Sequence, residues 1–346
     1  MLSARAVRLT DVAARAGVSI TTASVVLNDK ADGIPLDTRQ RVLAAASELG
    51  YRANAQARNL RLQKSMTLGL ISDDIATMPF AGNLIRGAQE AAWNAGFLLV
   101  VVDTYGERER ERRAIDALQQ RQIDGFLYAA GHHKVITPPS ELAGSPTVLL
   151  DARDGGSRIS GVVPDEVAGA RTAVEHLIDN GHRRIAFLQN QADIAATPLR
   201  LEGYRQALAD AGLAFDPALV EATVPEDRRL ALEATVRLLD RPDRPTGLFC
   251  FSDRAASGAY AAARRLGLSI PDDLSVVGFD NLELVAAWVD PGLTTVQLPH
   301  EAMGRWGVER LIAILKAPEE ASFEQALIPC PLVERSSVGP PASDGR

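Results

Sequence analysis

The pattern of apolar and polar positions changes at about residue 66. Over residues 5–50, apolar side chains recur at helical spacing with short turns between. Leu9, Val12, Ala13 and Ala16 share one face of a first predicted helix, and Ala23, Val26 and Leu27 share one face of a second. A third helix is predicted from about Thr38 to Leu49, and residues 51–65 are polar, as in a connector. Beyond it, strand-like apolar runs alternate with amphipathic helical stretches. The runs are TLGLIS (67–72), FLLVVVD (97–103), DGFLYAA (124–130), PTVLLD (146–151), RIAFLQ (184–189), TGLFCF (246–251) and SVVGFD (275–280). This βαβα order predicts parallel sheets covered by helices on both faces.

About 270 residues of α/β pattern exceed what one sheet and core normally hold, so two lobes with a cleft between them are expected. Ligands of open parallel sheets sit beyond the carboxyl ends of the strands. The loops after Ser72, Asp103, Asp151, Gln189, Ser252 and Asp280 are therefore the candidate site. The tail from Ser336, SSVGPPASDGR, has too few apolar residues to pack and is expected to be disordered.

Composition adds three constraints. At 46% hydrophobic and 23% charged residues the chain reads as globular, with no apolar run of the ~18 residues that a membrane span needs and no secretory-type leader, so a cytoplasmic protein is expected. The two cysteines, Cys250 and Cys330, lie in apolar segments and read as buried thiols, not a disulfide or metal site. The net charge of −7 argues against nucleic acid until its distribution is read. Residues 1–64 hold ten Lys/Arg and five Asp/Glu, a net +5, which leaves −12 on the remainder. A basic head on an acidic body suits a polyanionic partner.

The head has the grammar of a helix-turn-helix. Thr10 is placed to cap the first helix, Gly17 to make the turn, Val18 to plug it, and Ser19 to cap the second helix. Ile20, Thr21, Ser24, Val25 and Asn28 then form a stripe opposite the apolar face, with methyl and hydroxyl groups that suit base edges and phosphates. Spacing alone also fits a small helical bundle with no DNA role.

The segment DVAARAGVSITTASVVLN (11–28) closely resembles the helix-turn-helix of the lac repressor/galactose repressor family, with Thr22 and Ser24 among the matching positions. The resemblance runs on through TRQRVLAAASELGYRANAQARNLR, QRQIDGFLYAA, HLIDNGHRRIAFLQ, RLEGYRQAL and PTGLFCFSDRAASGAYAAARRLGLSIPDDLSVVGFDN. It implies a transcription regulator, a repressor rather than an enzyme, that binds a palindromic double-stranded DNA operator as a homodimer under the control of a small-molecule effector. The implied fold is an all-α helix-turn-helix domain (1–53), a hinge helix or linker (54–65), and an α/β core of two Rossmann-like lobes of periplasmic-binding-protein type. The first lobe spans 66–163 plus 297–321 and the second 164–296 plus 322–338, with a disordered tail at 339–346.

The same resemblance assigns roles to residues. Ile20, Thr21 and Val25 would read base edges. Many members carry arginine where this chain has Val25, and valine cannot bond guanine bidentately, so contacts to thymine methyls are expected instead. Asn54, Ala57, Leu60 and Arg61 align with the hinge helix, where Leu60 would wedge into a central base step and kink the duplex. In the core, Arg200, Asp253 and Asp280 match positions that the family commonly uses for ligands, and the strand-end loops add Asp74, Phe80 and Asp151 as candidate effector contacts; a mono- or disaccharide is the expected effector because polyols call for such hydrogen-bonding groups beside an apolar face. Trp288 is a further candidate for stacking or lobe packing. A member sensing a nucleobase or nucleoside, or lacking an effector, remains the alternative. A sugar-processing enzyme is a weaker one: the phosphate-loop, dinucleotide and nucleophile-elbow motifs are missing, and no cofactor or metal is predicted.

Overall fold

The computed structural model describes residues 7–27, 33–51, 64–75, 79–224 and 227–342. Asn28 and the hinge candidates Asn54, Ala57, Leu60 and Arg61 lie outside the described residues. The chain divides into two compact units, residues 1–65 and 66–346.

The first unit holds α1 (Leu9–Ala16), α2 (Ile20–Leu27) and α3 (Leu36–Glu48). Val12, Ala13 and Ala16 pack against Ala23, Val26, Val42, Ala45 and Ala46, so the apolar periodicity of the sequence becomes the core. Gly17 closes α1 at φ +66°, a conformation that costs glycine nothing. Ser19 caps α2, its Oγ accepting the Thr22 N–H at 3.0 Å. The expected cap at Thr10 is corrected. The helix starts two residues earlier, with Arg8 at the cap position, where the Asp11 carboxylate accepts the Arg8 N–H at 2.8 Å, leaving Thr10 exposed inside the helix.

The second unit holds two six-stranded sheets. The first contains β1 (Thr67–Ser72), β2 (Leu98–Asp103), β3 (Gly125–Ile136), β4 (Thr147–Asp154), β5 (Gly161–Pro164) and β11 (Gln325–Ile328), in the order β11-β5-β4-β3-β1-β2 with every pairing parallel. The second contains β6 (Ile185–Asn190), β7 (Val220–Thr223), β8 (Gly247–Cys250), β9 (Ser275–Asp280), β10 (Thr294–Gln297) and β12 (Leu332–Val333), in the order β12-β10-β9-β8-β6-β7, with β12 antiparallel. The covering helices are α4 (Ala81–Asn94), α5 (Arg108–Gln120), α6 (Glu166–Asp179), α7 (Ala196–Asp210), α8 (Arg228–Leu239), α9 (Asp253–Arg265), α10 (Glu283–Ala286) and α11 (His300–Lys316). Strand order reverses between β1 and β3 in one sheet and between β6 and β8 in the other, and such switch points open the crevices where ligands bind.

Helices α4 and α11 cover the first sheet at a crossing that only glycine permits. A Cβ on Gly87 would strike the Glu301 carbonyl, and one on Gly304 would strike that of Leu84. The chain passes between lobes after β5, after β10 and after β11.

That third crossing corrects the expected boundary. Residues 325–328 belong to the first lobe, pairing with Gly161–Pro164, and the second lobe's sheet receives only Leu332–Val333. Pro329 and Pro331 lack the N–H a continuous strand would need, so QALIPCPLVERS cannot run as one strand. The tail is also more ordered than composition suggested. Ser337 is fully buried, donating to the Val276 carbonyl at 2.6 Å and accepting the Thr294 N–H at 2.8 Å. The Gly339 carbonyl meets His182 Nε2 at 2.9 Å. Two serines and a glycine read as a polar tail, yet their hydrogen bonds are what fasten it to the sheet.

Candidate functional site: an interlobe cleft and an exposed helix face

The cleft forms where both switch points open toward one another. The first lobe contributes Phe80 from the start of α4, His132 and His133 from β3, Asp151 from β4, and His300 from the start of α11. The second contributes Glu166, Asn190, Arg200, Phe251, Ser252, Arg254 and Asp280. The cavity is about 150 Å³, the size at which an apolar cavity accepts one benzene-sized ring.

Arg200 anchors the second wall. Its Nε donates to Glu166 Oε2 at 2.7 Å and its Nη1 donates to the Phe251 carbonyl, with Asp280 Oδ1 at 3.6 Å. The guanidinium also lies over the rings of Phe279 and Phe251, at 3.6 and 4.3 Å from their centroids. Burial pushes the Glu166 and Asp280 carboxyls upward, Asp280 strongly, while the Arg200 charge opposes both shifts.

The first wall is less saturated. Phe80 stacks on the His300 imidazole, with centroids 5.1 Å apart and planes 8° from parallel. His300 Nε2 is 3.8 Å from Asp151 Oδ2. Asp151 Oδ1 and His133 Nδ1 are buried with no hydrogen-bond partner. Burial pushes the His133 ring down to about 4, so it is neutral at ordinary pH.

Four of the six residues expected at the cleft line it together: Phe80, Asp151, Arg200 and Asp280. Asp253 does not. It is fully buried behind the wall, where Oδ1 accepts from Thr295 Oγ1 at 2.5 Å and Oδ2 accepts the Leu282 N–H at 2.6 Å. It braces two loops, and burial pushes its carboxyl up to about 7. Asp74 also stays off the lining: its N–H turns back to Ser72 Oγ, and the neighbouring Asp73 takes the structural contacts to Lys134 and the Gly131 N–H. Trp288 neither stacks in the cleft nor packs the lobes together, being 79% exposed.

Sequence reasoning missed Glu166, His132, His133, Asn190, Arg254 and His300. Asn190 was within reach, since it ends a strand at a switch point. Glu166 gave no signal beyond standing next to a lobe crossing. Among the described residues no cluster of three or more His, Cys, Asp or Glu is placed to hold a metal ion. Cys250 and Cys330 are buried free thiols.

On the helix-turn-helix unit, Ile20 is 51% exposed, Thr21 is exposed, and Ser24 and Val25 are partly so. Thr22 turns back toward the helix cap, its hydroxyl 2.8 Å from that of exposed Ser19. The face of α2 opposite the core therefore presents Ile20, Thr21 and Val25.

Comparison with known proteins agrees with both units. The model for bacterial regulatory proteins of the lacI family matches residues 8–54, and that for the periplasmic binding protein-like domain matches residues 174–338. The ribose operon repressor of Escherichia coli (strain K12) is 34% identical over 95% of this chain and 98% of its own length. The chain belongs to the LacI family. Another LacI-family relative, the HTH-type transcriptional repressor PurR of Aliivibrio fischeri (strain MJ11), is 31% identical over 95% of this chain and 97% of its own. Among solved structures, the lac repressor dimer bound to operator and the anti-inducer ONPF superposes with a TM-score of 0.76 at 26% identity, covering 97% of this chain and 100% of that one. A LacI-family regulator from Enterococcus faecium with bound ribose gives 0.63 at 26% identity, over 79% and 99%. LacI-family regulators thus share this chain's helix-turn-helix and its two parallel-sheet lobes.

Proposed function

We propose that this LacI-family regulator is a cytosolic repressor, not an enzyme, which binds a near-palindromic operator as a dimer and releases or tightens it in response to a neutral, single-ring sugar of about pentose size. The observation that carries the effector reading is the cleft itself. It has room for one ring, lies between two lobes, and offers hydrogen-bonding groups from both with Phe80 as an apolar face. A disaccharide fits that volume poorly. An anionic ligand is disfavoured because Glu166 and Asp280 already neutralise Arg200. The ribose named in one relative and bound in one structural neighbour supports the pentose class.

The dimer reading rests on exposed apolar side chains on both lobes, Leu98 and Tyr105 on the first and Leu284 and Trp288 on the second, together with the dimeric state named for the lac repressor neighbour. An effector shifts DNA affinity only by binding the two lobe arrangements unequally. Calorimetric titration with D-ribose, cellobiose and adenine tests the effector class. Saturable binding of ribose alone is expected, and binding of adenine alone would replace the sugar with a nucleobase. Operator selection tests the head: Val25→Ala should weaken a thymine preference, and an unchanged guanine preference at that position would overturn the assignment.

A further inference from the structure

We propose that His133 is a specificity-determining residue of the cleft, holding, together with Asp151, two adjacent hydroxyls of the ring-sized effector. The inference rests on the sugar reading above and deepens it. Seven buried side-chain polar atoms among the described residues have no hydrogen-bond partner, and only two belong to residues that line the cleft: His133 Nδ1 and Asp151 Oδ1. Both residues are about 95% buried, at 4% and 5% exposure. Buried polar groups are normally paired, and an unpaired one at a ligand cavity is a place kept for a ligand atom.

Strand register brings the two together. Pairing between β3 and β4 shifts between Ala129 and Lys134, after which Lys134 pairs with Ala152. His133 and Asp151 immediately precede that pair on their strands, at the irregularity where residues 130–133 of β3 run past Asp151 alone, and both line the cleft. Asp151 is held at φ +54°, a left-handed conformation uncommon outside glycine, at the point where its carboxylate meets the cavity. Its other oxygen faces His300 Nε2 at 3.8 Å, leaving Oδ1 for the ligand.

The chemistry of the pair selects hydroxyls. An ionised carboxylate only accepts. A neutral imidazole nitrogen donates or accepts according to its tautomer. A hydroxyl does both at once, so a vicinal diol satisfies the pair in either tautomer. A nucleobase edge, with its donors and acceptors fixed, satisfies at most one tautomer. A 2-deoxy or 3-deoxy sugar leaves one buried atom unpaired again, which is where discrimination is strongest.

The test is calorimetry on the full chain with D-ribose, 2-deoxy-D-ribose and 3-deoxy-D-ribose, for wild type, His133→Leu, His133→Asn and Asp151→Asn. Wild type should bind ribose and lose about ten-fold or more in affinity for a deoxy sugar that lacks one of the two hydroxyls. His133→Leu should lose about ten-fold on ribose and no longer distinguish ribose from one of the deoxy sugars, a non-additive cycle that a purely structural role would not give. His133→Asn, which keeps a hydrogen-bonding side chain, should recover part of the loss, and it carries the test if the leucine variant fails to fold. If wild type takes up none of the three pentoses, the sugar reading falls and this inference with it. Wild-type binding of ribose with unchanged affinity and unchanged discrimination in the His133 variants overturns the inference alone.

Discussion

The two lobes share an architecture and differ in what they bring to the cleft. Each is a six-stranded sheet with one reversal of strand order, and each aims that reversal at the cavity. The second lobe's wall is internally satisfied: Arg200 joins Glu166, Asp280 and the Phe251 carbonyl and lies over two phenylalanine rings. The first lobe's wall carries the unpaired His133 Nδ1 and Asp151 Oδ1. One wall is thus built before any ligand arrives, and the other is completed by it. Stability and selectivity should accordingly separate, with substitutions on the second wall costing mainly the fold and those on the first costing mainly ligand discrimination.

The largest effect expected from that division is at Arg200. Arg200→Ala strands two buried carboxylates, and breaking such a group by removing one partner costs about 3–5 kcal/mol. The pH dependence follows from the sign of the shifts. Glu166 and Asp280 already have raised pKa values, by burial, and losing Arg200 raises them further. An acid whose folded-state pKa exceeds its unfolded value binds its proton more tightly when folded, so stability falls as pH rises through the region between the two values. Urea unfolding of Arg200→Ala should therefore show a deficit that shrinks from pH 8 to pH 5. A deficit under about 1 kcal/mol, or one independent of pH, would break the contrast between the walls.

Next in size is His182, which fastens the tail to the second lobe. Its ring bridges Thr246 Oγ1 and the Gly339 carbonyl, both at 2.9 Å, and the residue is fully buried. His182→Ala removes both bonds and leaves a cavity, at a cost of about 2–3 kcal/mol. Limited proteolysis should cut the tail near Gly339 sooner in the variant, while ribose affinity stays at the wild-type value. A large loss of affinity would mean that the second lobe's packing reaches the ligand after all.

His133→Leu sharpens the comparison because its sign is opposite. Removing an unpaired buried polar atom should leave the ligand-free protein as stable as wild type, or more so by about 1 kcal/mol. It should also remove a pH dependence. A histidine whose ring is pushed from about 6.5 down to about 4 binds its proton more readily in the unfolded chain, so wild type loses stability as pH falls through that window. The slope for one proton is at most about 1.4 kcal/mol per pH unit. The difference between wild type and variant in urea midpoints from pH 6.5 to 4 should show it, and parallel curves would remove the claim that His133 is held neutral.

How much of this was legible beforehand follows from local physics. β1 and β9 stand in the sequence with their observed bounds because buried parallel strands read as unbroken apolar runs. β5, β7 and β10 (GVVP, VEAT and TTVQ) were not legible, each being only four residues long and lacking such a run. Nothing in the sequence marks His132 and His133 for the cleft, since adjacent residues on a regular strand point to opposite faces. In fact β3 continues through both residues, and they lie just before pairing with β4 resumes in a shifted register, where both line the cleft. Asp253 was misplaced for the converse reason. A carboxylate following a strand at the head of a helix looks the same in sequence whether it faces a ligand or ties down Leu282 and Thr295.

The smallest expected effect is the first lobe's counterpart of the His182 latch. Ser160 Oγ accepts the Glu324 N–H at 3.0 Å, just before β11 joins β5, so each lobe secures the returning chain through a polar side chain. The two fastenings are unequal. Ser160 makes one good bond, and Glu324 is exposed, so water can replace the lost acceptor. Ser160→Ala should cost about 0.5–1 kcal/mol, against the larger loss at His182. Amide hydrogen exchange should rise at Glu324 and through Gln325–Ile328 and leave the second sheet unchanged. Exchange spreading to both sheets would show that the lobes unfold as one unit, and the separation of fold from selectivity between them would then have no thermodynamic basis.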